Sequence, residues 1–334
     1  MLLITGSSGF IGFHLAKKRL AMGDVVVGVD NHNDYYDVGL KEARLARLKA
    51  HDNFIFEKID IADTAAVQQL FKTYRFKKVV NLAAQAGVRY SIANPLAYIH
   101  ANVLGFTNII EACSHHAVEH VVYASTSSVY GANTSQPFTE SQTVDHPLAV
   151  YPATKKCNEL IAHAYANIYQ LPATGLRFFT VYGPWGRPDM ALFKFVKAIL
   201  KDEPIKVFNH GKMKRDFTYV DDVVTAMAKI IDHPATPDPD WRGDQPNPAT
   251  SYAPYRIYNI GNCQPVDLLI YINMIEELLG KKANKIMMPL QDGDVLTTFA
   301  DTTALQQQFN YRPQTPIATG IKKFIDWYRD FYTI

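Results

Sequence analysis

Apolar residues in the first half of the chain fall into short continuous runs, separated by stretches with helical spacing. Leu2-Leu3-Ile4-Thr5 is the first run. After Gly6-Ser7-Ser8-Gly9-Phe10-Ile11-Gly12, the positions of Phe13, Leu15, Ala16 and Leu20 predict an amphipathic helix that ends at Gly23. Val25 to Val29 then predicts a fully apolar strand finishing on Asp30, and Phe54 to Ile59 a strand finishing on Asp60. Asp63 has the chemistry to cap a following helix. Lys77 to Leu82 predicts a fourth strand, Pro95 to His115 a long helix, Val121 to Ala124 a fifth strand, Tyr151 to Tyr169 a helix, and Ala173 to Phe179 a sixth strand. Apolar strands alternating with helices imply an α/β fold, with a doubly wound parallel sheet covered on both faces.

Beyond residue 180 the pattern loosens. Prolines and aromatic residues multiply, above all between Pro234 and Pro254, where regular structure is not expected. A helix after Asp221, a strand over Arg256–Ile260, a helix over Val266–Leu279 and a final helix near Ile317–Tyr332 follow. The expected organisation is a Rossmann domain over residues 1–180 and, over 181–334, a smaller substrate-binding lobe interleaved with the last sheet strands.

Composition narrows the class. With 48% hydrophobic and 20% charged residues, the chain reads as an ordinary globular protein. A net charge of +2 gives no reason to expect nucleic acid or an anionic membrane as partner. No apolar run approaches the ~20 residues of a membrane helix. Cys113, Cys157 and Cys263 lack metal or redox spacing and suit a reducing compartment; with the first strand at Leu2, a cytoplasmic location is expected and no metal.

The chemistry starts at the first turn. Gly6, Gly9 and Gly12 lie between a strand and a helix, where glycines tighten the turn, admit a pyrophosphate and let helix and strand pack. The helix beginning Phe10-Ile11 would offer free N–H groups to phosphate. Asp30, 18 residues past Gly12, suits hydrogen bonds from a ribose diol and would repel a 2′-phosphate, which favours NAD over NADP. Asp60-Ile61 could flank the adenine, or Asp60 could serve a turn. Leu82-Ala83-Ala84-Gln85 at the fourth strand's end leaves room for a cofactor, and four hydroxyls, Ser125 to Ser128, end the fifth. Tyr151 and Lys155 share a helix face, so a nearby ammonium is expected to lower the phenol pKa. YxxxK alone is a weak pattern; its surroundings give it weight. Arg187 and Arg215, both expected in loops, could meet an anionic ligand, and Asp294 could accept from a ribose hydroxyl or shape a glycine turn.

Together, Gly6-x-x-Gly9-x-x-Gly12, Asp30, Asp60, Asn81-Leu82-Ala83-Ala84, Asn102 and Tyr151-x-x-x-Lys155 resemble the extended short-chain dehydrogenase/reductase superfamily, within it the NAD-dependent epimerase/dehydratase family. Val29 to Asp37, Pro184 to Ala191 and Tyr258 to Asn262 look most like UDP-glucuronate 4-epimerases. The resemblance implies tightly held NAD+, with Asn31 and Asn102 in its site, and reversible inversion at C4 of a UDP-hexuronic acid through a 4-keto sugar. Tyr151 would be the base, Lys155 its partner, and Thr126 the hydroxyl on the same oxygen. Ser127, Ser128 and Thr180 would hold the sugar carboxylate while Arg187 closes the pocket; Arg89, Val207, Phe208, Arg215 and Asp294 would meet the nucleotide. Gln291 stands where many relatives carry an arginine, which leaves more of the diphosphate to Arg215. A homodimer through the helices Pro95–His115 and Tyr151–Tyr169 is implied as well. The alternatives are a UDP-glucose or UDP-N-acetylglucosamine 4-epimerase and a UDP-glucuronate decarboxylase. Relatives that decarboxylate or dehydrate place acid at Ser128, so Ser127-Ser128 speaks against both chemistries.

Overall fold

The computed structural model describes residues 1–334. Strands β1 (Leu2–Thr5), β2 (Val26–Val29), β3 (Phe54–Glu57), β4 (Lys78–Asn81), β5 (His120–Thr126) and β6 (Ala173–Phe178) lie parallel in one sheet with Tyr255–Ile260. The order is Tyr255–Ile260, β6, β5, β4, β1, β2, β3, in seven strands. Direction of winding reverses between β1 and β4, and the crevice opens there at the carboxyl ends of the strands.

Alternation along each strand sorts side chains between two cores. Leu2, Ile4, Val26, Val80 and Val122 belong to one cluster of 47 buried residues, whereas Leu3, Val27, Val79, Val121 and Tyr123 belong to another of 25. A strand buried on both faces must be apolar throughout, which is why these segments read as runs. Helix α1 (Phe10–Ala21) packs in the first cluster through Phe13, Leu15 and Leu20. Helix α3 (Thr64–Thr73) packs in the second, and Asp63 caps it by accepting from Ala66 N at 3.0 Å.

Helix α2 (Val38–Lys49) has no counterpart in the sequence reading. Its inward face carries Lys41 and Arg44 beside Leu40, Leu45 and Leu48, so charge interrupts the apolar stripe. The long helix expected over 95–115 is built in pieces. After α4 (Val88–Ala93) come α5 (Pro95–Tyr98), a π-helical turn Ile99–Leu104 and α6 (Gly105–His115). Helix α7 (Val150–Tyr169) carries Tyr151 and Lys155.

From the second half, only Tyr255–Ile260 enters the central sheet. Lys214–Tyr219 lies between Thr180–Tyr182 and Pro265–Asp267 in a three-stranded sheet, so Arg215 sits on a strand and not in a loop. Ile205–Val207 pairs with Lys285–Met287. Residues 234–254 form turns and irregular backbone, as their prolines dictate. No helix is long and apolar enough to cross a membrane.

Candidate active site

The crevice is a cavity of about 390 Å3, and its floor is the turn after β1. Gly6 holds φ +69°, and a Cβ there would stand 2.8 Å from Ala83 N; one at Gly12 would collide with the Gly6 carbonyl oxygen. The turn therefore presses backbone to backbone against the end of β4. Gly9 is the N-cap of α1 and has no side chain to satisfy the helix's first N–H groups. Gly9, Phe10, Ile11 and Gly12 all line the cavity, so those donors and the positive dipole end face it.

Asp30 does two jobs. It lines the cavity, and its carboxylate accepts from Ser8 N at 3.1 Å and His32 N at 2.9 Å, fixing the glycine turn to the end of β2. Asp60 also lines the cavity but accepts from Ala62 N at 2.9 Å and from Asn31 Nδ2 at 3.1 Å, so its turn role is real. Ile61, Leu82, Ala83, Ala84 and Gln85 complete this side. Asn102 is not on the wall. It sits in the π-helical turn, where its Oδ1 accepts from Gln85 N at 2.8 Å and its Nδ2 donates to Gln85 O and Thr154 Oγ1, both at 3.0 Å. Asn102 thus fastens the end of β4 to α7.

Thr126, Ser127, Ser128, Tyr151, Lys155, Thr180 and Arg187 meet on the other side. Thr126 caps the turn that follows β5 by accepting from Ser128 N at 3.2 Å, which leaves its own O–H to donate. Burial pushes the Tyr151 phenol up, against the opposing pull of the Thr126 hydroxyl and Arg187. Burial also brings Lys155 down to about 7, with Glu159 opposing. The expected lowering of the phenol by Lys155 is therefore not what dominates here: both groups are governed by loss of water, because α7 packs them inward. The Tyr151 ring meets Tyr98 edge-on at 6.0 Å, and Tyr98 is itself anchored by donating to Gly87 O at 2.5 Å.

The remaining expected residues form a second cluster outside this cavity. Arg89 Nη2 pairs with Asp294 Oδ2 at 2.9 Å, and its guanidinium lies 4.9 Å from the Phe208 ring. Arg215 donates to Lys214 O at 2.9 Å and Leu296 O at 3.1 Å; burial lowers its pKa, with Asp294 opposing and Arg89 adding to it. The Val207 side chain is fully buried, so it can offer a ligand only backbone. Gln291 Oε1 is buried without a partner. Sequence reasoning missed Tyr35, Tyr36, Lys41 and Met190, which also line the cavity; three of them follow the acid that ends β2.

Comparison with known proteins places this geometry. The family model of the NAD dependent epimerase/dehydratase family matches residues 2–261. Protein CapI of Staphylococcus aureus is 54% identical over 331 residues, covering 99% of both chains. A probable UDP-glucuronate 4-epimerase of Rhizobium meliloti is 44% identical over 331 residues, covering 99% of this chain and 97% of its own. The crystal structure of UDP-glucuronic acid 4-epimerase from Bacillus cereus, in complex with UDP-glucuronic acid and NAD, superposes with a TM-score of 0.87 at 30% identity, over 99% of each chain. NAD fits the residues present: an uncapped helix start, a turn with no Cβ to block approach, and a carboxylate at the end of β2. The chain belongs to the NAD dependent epimerase/dehydratase family and is an NAD-dependent nucleotide-sugar 4-epimerase.

Proposed function

We propose that the chain interconverts UDP-glucuronate and UDP-galacturonate by inverting C4. The observation that carries this is the notch beside Tyr151, where Thr126, Ser127, Ser128 and Thr180 supply hydroxyls and Arg187, paired with Asp189, supplies a guanidinium. Bound NAD+ supplies a reversible hydride acceptor for C4. The glycine turn and the α1 N-terminus hold its pyrophosphate, Asp30 its adenosine ribose, and Lys155 its nicotinamide ribose. Tyr151, as the phenolate that Lys155 and the positive nicotinamide of bound NAD+ would favour, takes the proton of the 4-hydroxyl and returns it, with Thr126 donating to the same oxygen.

An acidic sugar adds a hazard. Its 4-keto form is a β-keto acid, which loses CO2 when the carboxylate stands perpendicular to the ketone. Ser127, Ser128 and Thr180 hydrogen-bond the carboxylate and keep it out of that orientation, and Arg187 closes over it. Arg89, Phe208, Arg215 and Asp294 take the uridine diphosphate, with the two arginines on the phosphates. Two copies pair through the helices carrying Leu96, Leu160 and Ile168, which are 76%, 60% and 67% exposed in one chain. Unpaired Cys113, Cys157 and Cys263 agree with work in the cytoplasm.

Turnover of UDP-glucuronate and UDP-glucose, measured side by side, tests the reading. A higher kcat/KM for the uronate, with UDP-galacturonate as product, is expected. Faster turnover of the neutral sugar, or a UDP-pentose with CO2 as the main product, rejects it.

A further inference from the structure

Arg187 reaches the cavity with its fork already engaged. Its Nε and Nη2 donate to the two carboxylate oxygens of Asp189 at 2.9 and 2.5 Å. Asp189 Oδ2 also accepts from the Tyr35 hydroxyl at 3.4 Å, and Tyr35 comes from the loop after β2, on the cofactor side of the cavity. Tyr35 is a neutral donor, since burial and then Asp189 push its phenol up to about 12. Asp189 is ionised: burial acts to raise its pKa, but Arg187 prevails and brings it down. The remaining charges near this pair, Lys194 beside Asp189 and Lys41 beside Arg187, are cations. Asp189 is thus the acid that cancels Arg187, and Nη1 is the nitrogen left for a ligand.

The plain role for Asp189 would be to place Arg187, but the backbone here is placed by other residues. Arg44, fully buried, donates from Nη2 to Trp185 O at 2.6 Å and from Nη1 to Ser8 O at 2.9 Å, tying this segment to the glycine turn. Arg47 stacks over Trp185 at 4.3 Å, and Arg187 O accepts from Met190 N at 3.1 Å. An amide at position 189 would still offer Arg187 an acceptor while carrying no charge.

We propose that Asp189 is a specificity-determining counter-charge, which competes with the sugar's carboxylate for Arg187 and so sets the preference between acidic and neutral nucleotide sugars. The inference rests on the acidic-sugar reading above. With the aspartate present, an arriving uronate meets an arm of no net charge and is held mainly by hydroxyls, so either epimer can leave. Without it, the uronate meets an unopposed cation in a partly buried notch, where attraction is stronger than at an open surface.

The test uses the NAD-loaded enzyme and its Asp189→Asn and Asp189→Ser variants, each first checked for a wild-type-like melting curve. KM for UDP-glucuronate should fall by about fivefold or more in both variants, while KM for UDP-glucose stays within about twofold. An unchanged or raised uronate KM, or an equal shift for both sugars, overturns the proposal. The dissociation constants of the two nucleotide sugars, measured by calorimetry on the same proteins, separate this inference from the functional reading. A wild-type enzyme that turns over UDP-glucose faster than the uronate sinks that reading, whereas the uronate-selective gain in binding on removing Asp189 is still required of the counter-charge.

Discussion

Arg177 and Glu159 form a two-point ion pair beneath the Tyr151 helix, with Nε to Oε1 and Nη2 to Oε2 both at 2.9 Å and the two side chains 0% and 1% exposed. Ser125 donates to the same Oε1 at 2.7 Å, so the pair joins α7 to β5 and β6 just behind Thr126. Removing one partner of such a pair leaves an uncompensated buried charge. Glu159→Gln should cost ~3–5 kcal/mol of unfolding free energy. Urea denaturation measures it, and a loss below about 1 kcal/mol would show that water reaches Arg177.

Tyr151→Phe should lower kcat by about 100- to 10,000-fold, the range for loss of a positioned proton donor and acceptor. NAD retention through gel filtration should be unchanged, because the glycine turn and Asp30 are untouched. Turnover within a factor of about three of wild type would move the proton chemistry to another group.

Ser127→Ala combined with Ser128→Ala should let the 4-keto uronate decarboxylate. Two hydrogen bonds at ~1 kcal/mol each translate to a rise of about thirtyfold in UDP-pentose per turnover, read by chromatography with trapped CO2 as a second measure. No increase in pentose would refute restraint by these hydroxyls.

Lys155 makes the NAD-free protein less stable at neutral pH. Burial lowers its folded pKa from 10.5 to about 7, so between those values the unfolded chain holds a proton that the folded chain lacks. Stability contributed by this group therefore rises as pH climbs through that window, and the full cost of burying the charge is felt below it. Lys155→Met should raise the melting temperature at pH 7 by a few degrees and flatten its rise toward pH 10. An unaltered melting temperature and slope would show that the folded lysine keeps its ordinary pKa. NAD-linked activity should be lost in the same variant.

The sheet was legible because a strand covered on both faces must be apolar at every position, as in Val26-Val27-Gly28-Val29, and because Asp63 and Gly23 mark helix ends. Helix α2 was not, since its buried Lys41 and Arg44 hold partners that are distant or irregular in sequence: Lys41 donates to Asn33 O at 2.6 Å, and Arg44 to Trp185 O at 2.6 Å. Local chemistry named the glycines, Asp30, Tyr151 and Lys155, and the fold brought them to one cavity. The Asn102 amide holds Gln85 and Thr154, two partners far apart in sequence that only the fold sets beside it. Tyr98 carried no sequence signal, and Asp189 entered only within the stretch Pro184 to Ala191, because their value lies in what tertiary packing sets beside them.

The strand Tyr255–Ile260 reaches its place beside β6 only after the chain has run out through residues 179–254 and back. Until those six residues arrive, β6 shows an unpaired row of backbone donors and acceptors, the kind of edge to which another chain can add. During synthesis the first 178 residues must therefore wait as an open-edged intermediate, closed by a segment lying at least 77 residues downstream. This late closure makes the assembly of the sheet slow relative to its size and exposes the growing polypeptide to mispairing with its neighbours.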